Sequence, residues 1–336
     1  MKNWEIKKFD SNKICQVYDK WPQLAKESYE SNIETIDFEN INHIVFSGMG
    51  GSGTIGDLFS AILSKTDVHV SVVKGYLLPK TVDSNTLVVT TSVSGNTVET
   101  LTILESIQKL NCQKVAFSSG GRMESLCLKN NIQFRKIPIL HSPRASLVNY
   151  VYSILKVLNS IIPIKKQEIV ESLDQLEKTA KQISSDHLTD TNFSLNLANW
   201  ISGIPLIYYP WGLQAAAIRF KNSLQENAKT HAMMEDVIEA CHNGIVSWER
   251  PANIQPILLQ GHDDYIKTKE RWLILKKYFK ENNIEYQEII SPSGNILTKL
   301  LTLIYLLDYS SIYRAILLKT DPSPTNSIDF IKRHLQ

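Results

Sequence analysis

Residues Thr90 to Leu101, TTSVSGNTVETL, constrain the fold more than any other stretch. The apolar run Thr86 to Thr91 reads as a short buried strand. Ser92, Ser94, Gly95, Asn96 and Thr97 then crowd hydroxyls into a turn that carries no positive charge. Beyond Thr97, residues Val98, Leu101, Ile103, Leu104 and Ile107 recur at roughly helical spacing, with Glu99 in the first turn, where a negative charge suits the helix dipole. A strand, a hydroxyl-rich turn and a helix N-terminus aim backbone N–H groups and hydroxyls at one point, which is how a protein cradles a phosphate without lysine. The stretch reads as such a loop, or as an ordinary strand-to-helix turn with a Ser/Thr cap.

The rest of the chain alternates strand and helix around it. Strands are expected at His43 to Ser47, Val68 to Val73, Thr86 to Thr91, Lys114 to Ser118 and Gln133 to Ile137, with helices between them; residues 1 to 40 read as amphipathic helix. After Arg144, a long apolar helix (Leu147 to Leu158) and a charged helical stretch (Glu168 to Ser184) separate two halves. The alternation then resumes with helix Phe193 to Ile201, strand Pro205 to Tyr209, helix Leu213 to Ala228, strand Ile254 to Gln260, helix Asp264 to Asn282, strand Tyr286 to Ile289, helix Leu297 to Leu317 and a last helix Pro324 to Leu335. This pitch implies an α/β protein of two doubly wound parallel-sheet domains in tandem, residues 1–160 with a helical N-terminal extension and residues 161–336 with a C-terminal helical tail. Ligands of such sheets bind beyond the carboxyl ends of the strands.

Composition excludes several classes. The 336 residues suffice for two cores, and a net charge of +2 without long basic runs gives no nucleic-acid surface. Four scattered cysteines do not make a disulfide framework, and dispersed histidines without HExxH give no metal site. The charged N-terminus MKNWEIKKFD has no apolar signal core, and no apolar run approaches the eighteen or so residues a bilayer span needs. The expected location is the cytoplasm, with no membrane partner and no cofactor.

Gly48, Gly50 and Gly53 match GxGxxG after a strand, a dinucleotide signature. The second strand, however, runs from Val72-Val73 into Lys74 rather than into the acid that would hold a ribose hydroxyl. Two phosphate-competent loops at neighbouring strand ends fit a small phosphorylated ligand better. Glu226 ends an apolar helix in QENAK, and His242-Asn243 opens a turn sixteen residues later. A carboxylate and an imidazole on separate elements suit proton transfer, although a surface Glu and a capping His fit the spacing too, and Glu235, Asp236 and Glu239 compete. Arg144, in HSPRASL, is a guanidinium for an oxyanion or a plain helix-start arginine. Lys332 lies on an amphipathic final helix, where a solvated lysine is ordinary.

Together FSGMGGSG, TTSVSGNTVETL, the Arg144 segment, QENAK with its His-Asn, and the tail DPSPTNSIDFIKRHL resemble the bifunctional phosphoglucose/phosphomannose isomerase family, built from two sugar-isomerase (SIS) domains. The resemblance runs from about residue 42 to 335 and implies a metal-independent aldose-ketose isomerase that interconverts glucose 6-phosphate and mannose 6-phosphate with fructose 6-phosphate through a cis-enediolate. It implies Ser92, Ser94 and Thr97 at the phosphate, and Ser52 with the backbone of Gly50 and Gly51 beside the sugar. Glu226 would shuttle the proton between C2 and C1, His242 would open the ring from the partner subunit of a homodimer, and Lys332 would assist at the ring oxygen. Arg144 would stabilise the enediolate, and Thr325 would leave room for either C2 epimer. Leu307 stands where the family pattern has a glycine before Asp308. Rival readings are a SIS aminosugar isomerase or deglycase, which carries a different signature around the glutamate, and a non-catalytic phosphosugar sensor, which would lose Glu226 or His242.

Overall fold

The computed structural model describes residues 1–335. Three short helices, α1 (Asn3–Phe9), α2 (Ile14–Asp19) and α3 (Trp21–Glu30), precede the first strand. Helix was expected through residue 40, but it stops at Glu30, and residues 31 to 39 carry neither helix nor strand. Their backbone is held elsewhere: the Ile36 N–H donates to the Val157 carbonyl at 3.0 Å and Arg135 Nε to the Glu34 carbonyl at 2.9 Å. By packing the chain forms two compact units, one of residues 20–174 with 295–298, the other of residues 1–19, 175–294 and 299 onward.

In the unit that begins at Lys20, five strands alternate with helices: β1 (His43–Ser47), α4 (Gly50–Leu63), β2 (His69–Val73), β3 (Thr86–Ser92), α5 (Val98–Ser106), β4 (Gln113–Ser118), α6 (Gly121–Lys129) and β5 (Gln133–Lys136). The sheet is parallel throughout, in the order β2-β1-β3-β4-β5. Every residue of β1 and β3 is buried, which explains their unbroken apolar runs. The order reverses between these two strands, so their carboxyl ends, with Ser47 in register with Thr90, form the topological switch point. Below it Val45, Val88, Leu104, Ala116 and Met123 form one cluster, each Val, Leu or Met side chain contributing about 1.5–3 kcal/mol by burial. The next helix, α7 (Leu147–Val157), packs on α3, and the fully buried Trp21 donates its indole N–H to the Ala145 carbonyl at 3.0 Å. The charged helix α8 (Lys166–Ile183) follows.

The other unit carries α9 (Phe193–Trp200), β6 (Ile204–Tyr209), α10 (Gln214–Ala228), β7 (Met233–Asp236), α11 (Val237–Ala240), β8 (Ile254–Gln260), α12 (Ile266–Glu281), β9 (Gln287–Ile290), α13 (Ile296–Leu317) and α14 (Asn326–His334). Its four strands are parallel in the order β7-β6-β8-β9, the first sheet's pattern without its fifth strand. The α/β architecture read from the sequence is the one observed. Strand β7 was not foreseen: four residues, MMED, at a sheet edge with none buried leave no apolar run to read.

Helix α13 departs from the expectation that no stretch reaches membrane length. By length and composition it could cross a bilayer, but 83% of its most apolar window is buried in the protein. Tyr305, Tyr309 and Tyr313 pack along it at ring spacings of 5.7 Å, edge-on, and 5.1 Å, tilted, and Leu307 is fully buried among its core residues. Asp308 is also fully buried in the helix and is paired with Arg219.

Candidate active site

At the switch point the β3–α5 turn is shaped by its own hydroxyls. Ser92 Oγ and Thr97 Oγ1 lie 2.9 Å apart, and the Gly95 N–H closes the turn on the Ser92 carbonyl at 3.0 Å. Thr97 stands at the N-cap of α5, yet no side chain caps that helix, because its hydroxyl faces Ser92 instead. The first N–H groups of α5 therefore point out beside two hydroxyls, a donor set suited to an anion. Ser94 Oγ accepts from the Asn96 N–H at 3.3 Å.

A second loop braces the first. The Met123 N–H donates to the Gly95 carbonyl at 2.9 Å, the Arg122 N–H to Asn96 Oδ1 at 3.1 Å, and Ser119 Oγ to the Val93 carbonyl at 2.7 Å. The Tyr150 hydroxyl, its pKa raised by burial, reaches the Ile137 carbonyl at 3.0 Å and the Val93 carbonyl at 3.4 Å. These contacts from β4–α6 and α7 were not read from the sequence, because they join residues that only the sheet order brings together.

On the neighbouring strand, β1 feeds α4, whose N-terminus is also uncapped by any side chain. Gly50 opens it at φ +53°, a left-handed conformation open to glycine at no steric cost. Gly51 follows it, and Ser52 is buried one residue later. Lys74, after β2, pairs its Nζ with Asp57 Oδ2 of α4 at 2.6 Å, so a cation stands where a dinucleotide site would place its ribose acid. Arg144 is buried three residues before α7, the helix whose Tyr150 reaches the Val93 carbonyl.

In the other unit, Glu226 is half-buried in the last turn of α10. A buried network anchors this helix to α13. Arg219 Nη2 donates to Asp308 Oδ2 at 2.6 Å and Nε to both carboxylate oxygens at 3.0 Å, while Ser223 Oγ donates to Oδ1 at 2.5 Å and the Tyr18 hydroxyl to Oδ2 at 2.9 Å. One turn on, Asn227 Nδ2 donates to Ser311 Oγ at 2.8 Å. Burial alone would lower the Arg219 pKa; the charge of Asp308, with lesser help from Tyr18 and Glu226, outweighs burial and holds it above the ordinary range. Arg219 and Glu226, seven residues apart, lie on one face of α10.

His242 is exposed and its ring makes no hydrogen bond among the described residues; it follows the carboxyl end of β7, whereas Glu226 precedes the amino end. A four-residue strand spans about 13 Å, so β7 separates the two stretches of chain that carry them. Asp236 Oδ1 caps α11 through the N–H groups of Ile238 and Glu239, and Glu239 Oε1 accepts from Asn243 Nδ2 at 2.7 Å. Burial, then Glu239 and Asp236, raise the Glu235 pKa. Those three carboxylates belong to the His242 end. Thr325 is the N-cap residue of α14 and Lys332 lies two turns along the same face, both on a helix that buries no residue. Among the described residues no group of three or more His, Cys, Asp or Glu converges as metal ligands would.

The family described as the bacterial phospho-glucose isomerase C-terminal SIS domain matches residues 190–335. A bifunctional phosphoglucose/phosphomannose isomerase of Caldicellulosiruptor bescii is 31% identical over 94% of this chain and 96% of its own. One of Aquifex aeolicus is 29% identical over 94% of each. The crystal structure of a hypothetical protein from Thermus thermophilus superposes with a TM-score of 0.76 at 13% identity, covering 99% of this chain and 92% of that one, a likeness of fold. With 31% identity to the first of these relatives sustained along nearly the full length of both sequences, the chain belongs to the bifunctional phosphoglucose/phosphomannose isomerase family.

Proposed function

We propose that the protein interconverts fructose 6-phosphate with both glucose 6-phosphate and mannose 6-phosphate. The observation that carries this reading is the Ser92–Thr97 turn at the switch point, two hydroxyls beside an uncapped helix start, in a chain that belongs to this family. The 6-phosphate takes Ser92, Ser94, Thr97 and the first N–H groups of α5. Ser52 and the backbone of Gly50 and Gly51 hold sugar hydroxyls.

The chemistry then needs three things: an open chain, one mobile proton and a stabilised oxyanion. Ring opening moves the proton of the anomeric hydroxyl to the ring oxygen, a task for an imidazole near neutrality assisted by the Lys332 ammonium. Glu226 removes a proton from C1 of the ketose, the electron pair forms the C1–C2 double bond, and the carbonyl oxygen becomes the enediolate oxyanion. Arg144 is assigned to that oxyanion. A proton passes from O1 to O2, so that returning the carbon-bound proton to either face of C2 leaves the carbonyl at C1 and gives glucose or mannose 6-phosphate, and Thr325 leaves room for both. The same carboxylate serves both outcomes.

His242 acts in a homodimer, reaching the site of the other copy. Support for this comes from its exposed ring, which makes no hydrogen bond among the described residues, and from its place past the carboxyl end of β7 while Glu226 precedes the amino end. The test is to incubate purified protein with fructose 6-phosphate and follow the two aldose phosphates separately. Formation of both is expected; formation of neither, with binding retained, would make the chain a sensor or an enzyme of another phosphosugar.

A further inference from the structure

Helix α10 ends in an unusual way. Its C-cap residue, Lys229, is in the left-handed region at φ 53° and ψ 31°, where glycine or asparagine normally sits. The backbone there is an ordinary helix stop: the Lys229 and Thr230 N–H groups both return to the Leu224 carbonyl. Nothing in that stop requires a lysine.

The side chain explains the choice. Lys229 Nζ donates to the carbonyls of Glu226 at 2.8 Å and Asn227 at 3.3 Å, which are orphan acceptors of the last turn, where a cation also suits the dipole. It also reaches the carbonyls of Asp321 at 3.2 Å and Pro322 at 3.5 Å, in the turn that leads to Thr325 and α14. That turn is fixed independently: the Ser323 N–H donates to Asp321 Oδ1 at 2.8 Å, and Ser11 Oγ to Asp321 Oδ2. One ammonium thus ties the backbone of the residue assigned as the base to the start of the tail that carries Thr325 and Lys332.

We propose that Lys229 is a positioning residue of the isomerase, setting the place of Glu226 against Thr325 and Lys332 and so governing proton transfer and the choice of C2 epimer. This rests on the isomerase reading above. The phosphate-binding loop is untouched by it, so the effect falls on turnover and product ratio more than on substrate affinity.

Two variants separate positioning from capping. Lys229→Gly suits the left-handed conformation better than lysine does, so the helix stop is retained; Lys229→Met keeps the stem and loses the charge. Both are expected to unfold within a few degrees of wild type, to lose about tenfold or more in kcat for both products with KM changed about twofold or less, and to shift the glucose-to-mannose product ratio. Wild-type kcat and product ratio in Lys229→Gly would overturn the proposal and leave Lys229 as a helix cap. A wild-type protein that binds fructose 6-phosphate without converting it would instead overturn the isomerase reading on which the proposal rests.

Discussion

Gly95 and Gly120 meet backbone to backbone: a Cβ on Gly95 would lie 1.8 Å from the Gly120 carbonyl oxygen. Gly95 also holds φ +69°, so its side chain is excluded twice, by conformation and by space. The β4–α6 loop is therefore a mould for the Ser92–Thr97 turn. Gly95→Ala should strain the turn by roughly 1–3 kcal/mol before the clash is counted, and raise the KM for fructose 6-phosphate about tenfold or more. Steady-state kinetics beside a thermal melt checks this; an unchanged KM would show that the turn does not hold the phosphate.

The Ser92–Thr97 hydroxyl pair gives a sharper prediction. Removing either hydroxyl, in Ser92→Ala or Thr97→Val, takes away one donor to a charged ligand, a loss of about 1.5–3 kcal/mol or roughly ten- to a hundredfold in affinity. Competition by inorganic phosphate should weaken in parallel. Titration calorimetry with fructose 6-phosphate and with phosphate alone measures both.

The Arg219–Asp308 pair is expected to matter for folding. Asp308→Ala leaves a guanidinium buried without its main counter-charge, a loss of about 3–5 kcal/mol. Replacing both partners, as in Arg219→Met with Asp308→Leu, should recover much of that loss, because the cost lies in the unpaired charge. Denaturant unfolding of the two single variants and the double variant tests it.

Subunit exchange tests the assignment of His242. If His242 serves the partner's site, Glu226→Gln and His242→Ala proteins, each inactive alone, should regain activity when unfolded and refolded together. Random pairing makes half the dimers mixed with one intact site each, about a quarter of wild-type activity. No recovery would place both groups in one subunit.

A pH effect follows from β1. The buried His43 ring lies tilted, 4.8 Å from the His69 ring, and contacts Ser71 Oγ at 3.0 Å. Burial first, and the charge of His69 second, lower its pKa from the ordinary 6.5. The unfolded chain therefore binds this proton more readily than the folded one, so the contribution of His43 is complete above pH 6.5 and is lost as the pH falls through the depressed folded value. Denaturation midpoints between about pH 8 and 5 should decline in that window, and His43→Phe should flatten the decline.

How much of this was legible depended on the kind of signal. The central strands β1, β3 and β8 were placed almost to the residue, since each carries a buried apolar core, at residues 44–46, 87–89 and 257–259. Strand β7 was not, because MMED at an edge obeys no hydrophobic period and is defined only by its pairing with β6. Residues 31 to 39 break the helical reading for a related reason: their hydrogen bonds go to Val157 and Arg135, far along the chain. The Ser92–Thr97 turn could be read because its residues are consecutive. Its mould at Gly120 and Tyr150, the Arg219–Asp308 anchor and the Lys229 tie join distant residues, and no local pattern carries them.

Everything proposed for the chemistry turns on one carboxylate, Glu226, moving the proton for both epimers. Turnover of fructose 6-phosphate by Glu226→Gln decides it, with glucose 6-phosphate and mannose 6-phosphate quantified separately and substrate binding measured on the same sample. Both rates should fall together, by about 10²–10⁴-fold, while fructose 6-phosphate still binds. Near wild-type turnover to either product would contradict the assignment.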